Sequence, residues 1–250
     1  MRNNLLEDWY EDSNYFSVVG PLSCGPLHPG GMVPNQLLAS RLKWTGVEVL
    51  EIGAGTGVSH KFFSALGARV TSVEPNRWMR HAALQAGVKS SNYYELAAED
   101  LTADWLEAHV DATRLLVQGV VGFMKDGLGT LEPILKHQCV TEVVLVDWVG
   151  ATAQGPAPVR HSYRAADYVA AAEAAGFAHI QLETLEYAAP DNRIEVPEAM
   201  RRVRRIFHEV MDNNDEERLR QKIEAIQLTG SERKKYMILT ARRSAAREWQ

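Results

Sequence analysis

Two hydrophobic rhythms alternate along this chain. Short runs rich in consecutive apolar and β-branched residues read as strands: VEVLEIGA (47–54), RVTSVEP (69–75), NYYEL (92–96), RLLVQGVVGF (114–123), EVVLVDWVG (142–150), HIQLETLEY (179–187) and KKYMILTARR (234–243). Between them lie helical segments: VSHKFFSALG (58–67), NRWMRHAALQAG (76–87), LTADWLEAH (101–109), LGTLEPILKHQ (128–138) and RAADYVAAAEAAGF (164–177). Gly67, Gly87 and Gly176 sit where a left-handed residue would end three of these helices. Strands alternating with helices of about 10–15 residues predict a parallel, doubly wound α/β sheet. Near-continuous apolar strands predict cover on both faces.

Two regions depart from the alternation. Residues 1–43 precede the first strand; Leu5, Leu6 and Trp9 have helical spacing, and VVGPLSCGPLHPGG is a Gly/Pro-dense loop. MVPNQLLASRLK (32–43) follows as a helix, with Leu37, Leu38, Arg41 and Leu42 expected on its covered face. Between strands six and seven, Met200, Val203, Ile206, Phe207 and Val210 form one helical stripe, and Leu219, Ile223 and Ile226 another. The expected organisation is therefore an N-terminal lid segment (1–43), a core (44–190 and 230–245) and a helical insertion (191–229) that covers a substrate or forms a homodimer contact. The run Arg201, Arg202, Arg204 and Arg205 reads as a solvated helix face.

Composition narrows the function classes. With 250 residues, 46 % apolar and 24 % charged, the chain is long and apolar enough for a sizeable core. A formal net charge of -5 disfavours nucleic acid as a partner and suits a small molecule. The two cysteines, Cys24 and Cys139, have no zinc-ligand spacing, so neither a disulfide framework nor a metal is expected. The polar, acidic start MRNNLLEDWYEDSNYF lacks the apolar core of a signal peptide, and no apolar run is long enough to span a membrane. A cytoplasmic location is the expectation.

The strongest chemical signal is Glu51-Ile52-Gly53-Ala54-Gly55-Thr56-Gly57. Glycines after a strand let the backbone turn sharply and approach a ligand closely, and the following helix offers unpaired N–H groups. A dinucleotide-binding turn is spaced GxGxxG, with its third glycine three positions after the second. Here that position is Val58 and the third glycine is Gly57, so the spacing is GxGxG. Glu51, two residues before Gly53, would repel a pyrophosphate and attract a cation. Both features favour S-adenosylmethionine over a nicotinamide dinucleotide.

VLEIGAGTG resembles the first motif of class I S-adenosylmethionine-dependent methyltransferases of the small-molecule type, and the resemblance extends over nearly the whole chain. It implies a seven-stranded, mostly parallel Rossmann-like sheet with an antiparallel last strand. It also implies that Glu51, Gly53 and Gly55 line the methionine part of the cofactor, that Ala54 and Gly57 belong to the same cofactor site, and that Glu74 binds the ribose hydroxyls. Pro75 and Asn76 would flank the adenine, Ala98 and Glu99 would meet its edge, and Gln118 would reach the methionine end. ELAAEDL (95–101) resembles the family's third segment but carries Ala97 where an acid is common, so the acidic contact to the adenine amine moves to Glu99 or Asp100, or is absent. Tyr15 and His28, in a segment similar to the lid of small-molecule members, would close over the sulfonium.

Methyl transfer is an in-line displacement that depends mainly on alignment, with a base only where the acceptor carries a proton. His28 is the first candidate for a base or orienting group, its intrinsic pKa being about 6.5. Asp147 ends the fifth strand, where ligands gather in open α/β sheets, and His161 and Tyr163 follow in the next loop. The expected activity is methylation of a small metabolite or natural-product intermediate at oxygen, nitrogen or carbon. A non-catalytic module binding S-adenosylmethionine or S-adenosylhomocysteine, and a nicotinamide-dependent oxidoreductase, are the alternatives.

Overall fold

The computed structural model describes residues 31–111, 113–149, 161–188, 201, 217 and 233–243. Helix α1 (Val33–Arg41) opens with a proline in its first turn, where a missing N–H costs nothing. Then follow β1 (Glu48–Ile52), α2 (Val58–Ala65), β2 (Arg69–Val73), α3 (Arg77–Gln85), β3 (Tyr93–Tyr94), α4 (Ala103–His109), β4 (Thr113–Gln118), α5 (Leu128–Lys136), β5 (Val140–Trp148), α6 (Ala165–Ala174), β6 (Phe177–Ala188) and β7 (Arg233–Arg243). The seven strands form one sheet in the order β3-β2-β1-β4-β5-β7-β6. Pairs from β3 to β5 are parallel, and β7 runs antiparallel to both β5 and β6. The doubly wound, seven-stranded fold expected from the alternation is present. Among the described residues no helix is long and apolar enough to cross a membrane.

Alternate residues of the strands feed two cores. Leu50, Ile52, Leu115, Val117, Val143, Leu145, Met237 and Leu239 pack on one face against Leu106, Leu131, Ile134, Leu135 and Tyr168. Val49, Val70, Leu116, Val144, Val146 and Ile238 face the other way, against Leu38, Trp44 and Phe63. Burial on both faces explains why β4 is covered along its whole length and why its middle, Leu115–Val117, is continuously apolar.

Two strand boundaries and one helix face differ from expectation. The fourth strand stops at Gln118 rather than continuing to Phe123. Gly119, at φ +68°, turns the chain out of the sheet, and Val121–Phe123 close a 3₁₀ turn. The third strand shrinks to two residues, ended where Glu74 N–H donates to Tyr94 O at the sheet edge. Helix α1 buries Pro34, Asn35 and Leu38, whereas Arg41 is exposed and pairs with Glu183 on β6. The lid residues 1–30 and nearly all of the insertion 191–229 lie outside the described residues, so neither expectation is tested by the fold.

Candidate functional site

The face of the sheet under α1 and α2 changes character along its length. At the amino end it is apolar, with Val49, Val70 and Leu116 under Trp44 and Phe63. At the carboxyl end the same face presents Glu51 from β1, Ser72 from β2 and Gln118 from β4, all buried. Asn35 of α1 and Ser59 and His60 of α2 cover them and are also buried. Buried polar groups are costly unless paired. Here they pair with one another. His60 Nδ1 lies 2.8 Å from Ser72 Oγ, and Ser72 Oγ donates to Glu51 Oε2 at 2.8 Å. A hydroxyl has one proton, so while Ser72 gives it to an ionised Glu51 it accepts from His60, which then carries its proton on Nδ1. Burial drives the His60 pKa down to about 4 and keeps that ring neutral. A second chain runs from Gln118 Nε2 to Asn35 Oδ1 at 2.8 Å and from Asn35 Nδ2 to Ser59 Oγ at 2.9 Å.

The glycine turn leaves β1 beside this polar patch, between β2 and β4, where the strand order reverses direction. Gly53 and Ala54 N–H both donate to Val73 O, tying the turn to the end of β2. The Gly55 peptide groups are held on two sides. Its N–H donates to Glu74 Oε2 at 2.8 Å, and its carbonyl accepts from the Tyr93 hydroxyl of β3. Glu74 Oε1 accepts from Asn76 N–H at 2.8 Å. The turn is therefore preformed by side chains 19 and 38 positions further along the chain.

The three glycines serve different ends. A Cβ on Gly53 would stand 2.4 Å from Val120 Cγ1, and one on Gly57 would stand 2.8 Å from Val88 Cγ2. Those two are dictated by protein packing. A Cβ on Gly55 would meet only Met79 Sδ, at 3.7 Å, so among the described residues Gly55 borders open space. Gly53→Ala is expected to lower unfolding stability by about 1–3 kcal/mol, from overpacking at a positive φ. Adding Val120→Ala should restore the steric part in urea titrations. A Gly53→Ala protein as stable as its parent contradicts the close approach.

Two carboxylates flank the turn. Glu51 is almost fully buried, and desolvation raises its pKa to about 8, against the hydrogen bond from Ser72 and with a further push from Glu74. Desolvation raises Glu74 to about 7, opposed by its bonds from Asn76 and Gly55. Burial, with Glu74 and Glu51 nearby, raises the Tyr93 phenol and keeps it a donor.

The remaining sequence-derived candidates separate into groups. Pro75 is exposed, and the Asn76 side chain accepts from Trp78 and Met79 N–H as the N-cap of α3. Ala98 is buried in the core cluster that holds Leu101 and Val121, so its methyl faces inward. Glu99 is exposed, and its carboxylate accepts from Lys125 N–H, bridging two loops at the carboxyl edge. Asp147 is buried with both oxygens engaged: Oδ1 accepts from Trp148 N–H at 2.8 Å and Oδ2 from the Tyr168 hydroxyl at 3.0 Å. Burial lifts its pKa to about 6 against those bonds and a further one from Val121 N–H. His161 holds Gly122 O and Lys125 O, and Tyr163 accepts from Leu128 N–H at 3.2 Å. The two rings stack at 5.9 Å, and Tyr163 meets Tyr168 edge-on. Asp147, His161 and Tyr163 are thus brought together around the turn that follows β4. Tyr15 and His28 lie outside the described residues. Sequence reasoning missed Asn35, Ser59, His60, Ser72 and Tyr93.

An open depression of about 540 Å³ lies at the opposite, amino edge of the sheet, beside Arg69, Arg114 and Arg242. Glu48 and Glu142 already pair with those guanidiniums. It holds none of the groups described above.

No family model matches the chain, and no curated protein matches it. Solved structures do. Haemonchus contortus phosphoethanolamine N-methyltransferase 2, in complex with phosphomonomethylethanolamine and S-adenosylhomocysteine, is 17 % identical with a TM-score of 0.59. The match covers 96 % of this chain and 60 % of that one, so the present chain spans about three-fifths of the larger protein. The [4+2]-cyclase SpnF is 16 % identical with a TM-score of 0.51, over 85 % of this chain and 81 % of its own. A SAM-dependent methyltransferase from Archaeoglobus fulgidus is 14 % identical with a TM-score of 0.51, over 83 % of this chain and 94 % of its own. The chain has the Rossmann-like fold of the class I S-adenosylmethionine-dependent methyltransferases.

Proposed function

We propose that the chain binds S-adenosylmethionine at the carboxyl edge of β1, β2 and β4 and transfers its methyl group to a small metabolite. The observation that carries this reading is the Gly55 peptide, clamped by Tyr93 and the buried carboxylate of Glu74, with a second buried carboxylate, Glu51, beside it. The bound donor would supply a methyl group already activated on a sulfonium. The chain's part is to hold and align. Each Glu74 oxygen takes one backbone N–H and keeps a lone pair, so the carboxylate can still accept from a ribose diol. Glu51 favours the cationic end of the same molecule. His161, Tyr163 and Asp147 fix the turn after β4 as the acceptor-side wall, and His28 is the nominee for a base. A small acceptor is favoured by the net charge of -5 and by the phosphomonomethylethanolamine held in the Haemonchus structure.

Calorimetric titration with S-adenosylhomocysteine, with NADH as a control, tests the reading. Heat and thermal stabilisation with the first and none with the second are expected. No heat with S-adenosylhomocysteine overturns it. Incorporation of labelled methyl across a metabolite screen then tests turnover and identifies the acceptor atom. A second reading, a non-catalytic module that binds S-adenosylmethionine or S-adenosylhomocysteine, is the one that binding without any incorporation would favour; similarity to a structure named a [4+2]-cyclase is in keeping with a fold not tied to methyl transfer.

The buried carboxylates make binding depend on pH. Both pKa values are raised on folding, so the stability their neutral forms contribute is present at low pH and lost as pH rises through about 7 and about 8. The facing groups are Ser72, His60 and Tyr93. His60, lowered to about 4, is neutral in both folded and unfolded states above the ordinary histidine value of 6.5 and drops out there. Between pH 6.5 and 8.5 the free protein should lose melting temperature while affinity for the cationic donor rises, by at most about tenfold per pH unit for each proton released. Titrations in two buffers of different ionisation heat should show proton release. Flat affinity with no release contradicts the paired-carboxylate account.

A further inference from the structure

Gln118 ends β4 on the same face as Leu116, one register position beyond the Val117–Ile52 pair and therefore beside Gly53. Its side chain is 6 % exposed, and among the described residues its Oε1 has no hydrogen-bond partner. Leaving a buried acceptor unmade is unfavourable, so a position that keeps one points to a donor brought by something else. The neighbours set the orientation the amide has here: Asn35 Nδ2 donates to Ser59 Oγ, which presents Asn35 Oδ1 to Gln118, and Gln118 Nε2 donates to that oxygen. The carbonyl oxygen of Gln118 is thereby left facing away from Asn35, at the end of the strand next to the glycine turn.

We propose that Asn35 is a positioning residue that orients the Gln118 amide so that Oε1 accepts a hydrogen bond from the α-ammonium of the methyl donor. This rests on the donor-binding reading above and extends it to the helix before β1. Asn35 connects α1, α2 and β4, so the placement of α1 becomes part of how tightly the amino-acid end of the donor is held. Ser59 acts one step further back, as the partner of Asn35.

The test uses the full chain and three probes: S-adenosylhomocysteine, decarboxylated S-adenosylmethionine, which keeps the ammonium and lacks the carboxylate, and 5′-methylthioadenosine, which lacks both. Asn35→Ala and Gln118→Met should each weaken the first two by about tenfold, the size of one lost hydrogen bond to a charged group. Both should leave 5′-methylthioadenosine within twofold. The double variant should be no weaker than either single one, because the two residues act through one bond. Asn35→Asp keeps the acceptor for Gln118 Nε2 and should recover most of the affinity, which covers the case in which Asn35→Ala fails to fold. Equal losses for all three probes, multiplicative losses in the double variant, or a loss confined to probes that carry the carboxylate would each overturn the proposal. Parent protein that binds none of the probes overturns the donor-binding reading instead.

Discussion

Gly55→Val is expected to abolish binding of S-adenosylhomocysteine, a loss of at least about a hundredfold, while the protein still unfolds cooperatively. Gly55 sits at φ +59°, where a β-branched residue is strained by about 1–3 kcal/mol. The peptide cannot rotate to relieve that strain, because Glu74 holds its N–H and Tyr93 holds its carbonyl. The new side chain must then project into space where, among the described residues, a Cβ meets Met79 Sδ alone, at 3.7 Å. The contrast with its neighbours sharpens the experiment. Substitution at Gly53 or Gly57 strikes Val120 or Val88 and should appear first as lost stability. Substitution at Gly55 should appear first as lost affinity. Calorimetry and thermal melting on the three variants separate these patterns, and a Gly55→Val protein that binds within a few-fold of its parent removes the crevice from the cofactor.

Glu74→Ala should weaken donor binding by about 1–3 kcal/mol, roughly 5- to 150-fold in Kd, through loss of a charged acceptor. On the proposed reading two effects combine: the ribose loses its acceptor, and Gly55 N–H and Asn76 N–H lose theirs, so the turn keeps its backbone bonds to Val73 O but loses the side-chain hold on Gly55. Glu74→Gln keeps one carbonyl oxygen and should lose less. In steady-state kinetics the change should raise KM for the donor more than it lowers kcat, because the ribose is remote from the transferred carbon. An unchanged Kd on Glu74→Ala means that Glu74 organises the protein only.

The sheet was legible because its strands are buried on two faces. β4 and β5 announce themselves as apolar runs whatever their partners are. The glycine turn was legible for a related reason: three positive-φ residues within five positions demand glycine. What the chain did not disclose is the polar cover of the carboxyl edge. Asn35 on α1 and His60 on α2 look like solvent-facing residues, and α1 has no clear apolar stripe because its covered face mixes Asn35 with Leu38. Their partners stand far away in sequence: Gln118 is 83 positions from Asn35, and Ser72 is 12 from His60. Periodicity reports which side of a helix is covered only when the covering surface is oily. Tyr93 escaped notice for the converse reason, since an aromatic residue in a strand reads as core and its hydroxyl contact to Gly55 has no local mark. Asp147 was picked for its place at a strand end, a rule that holds for position but does not foresee that Tyr168 and two backbone amides occupy its oxygens.

The antiparallel placement of β7 has an evolutionary consequence. Since β7 opposes both β5 and β6, those two run the same way, and Ala188 at the end of β6 lies opposite Arg233 at the start of β7. The chain therefore departs from the sheet and rejoins it at neighbouring points, on the rim shared with the glycine turn. Segments exchanged between those two points can be lengthened, shortened or recruited anew without disturbing a single ladder pairing.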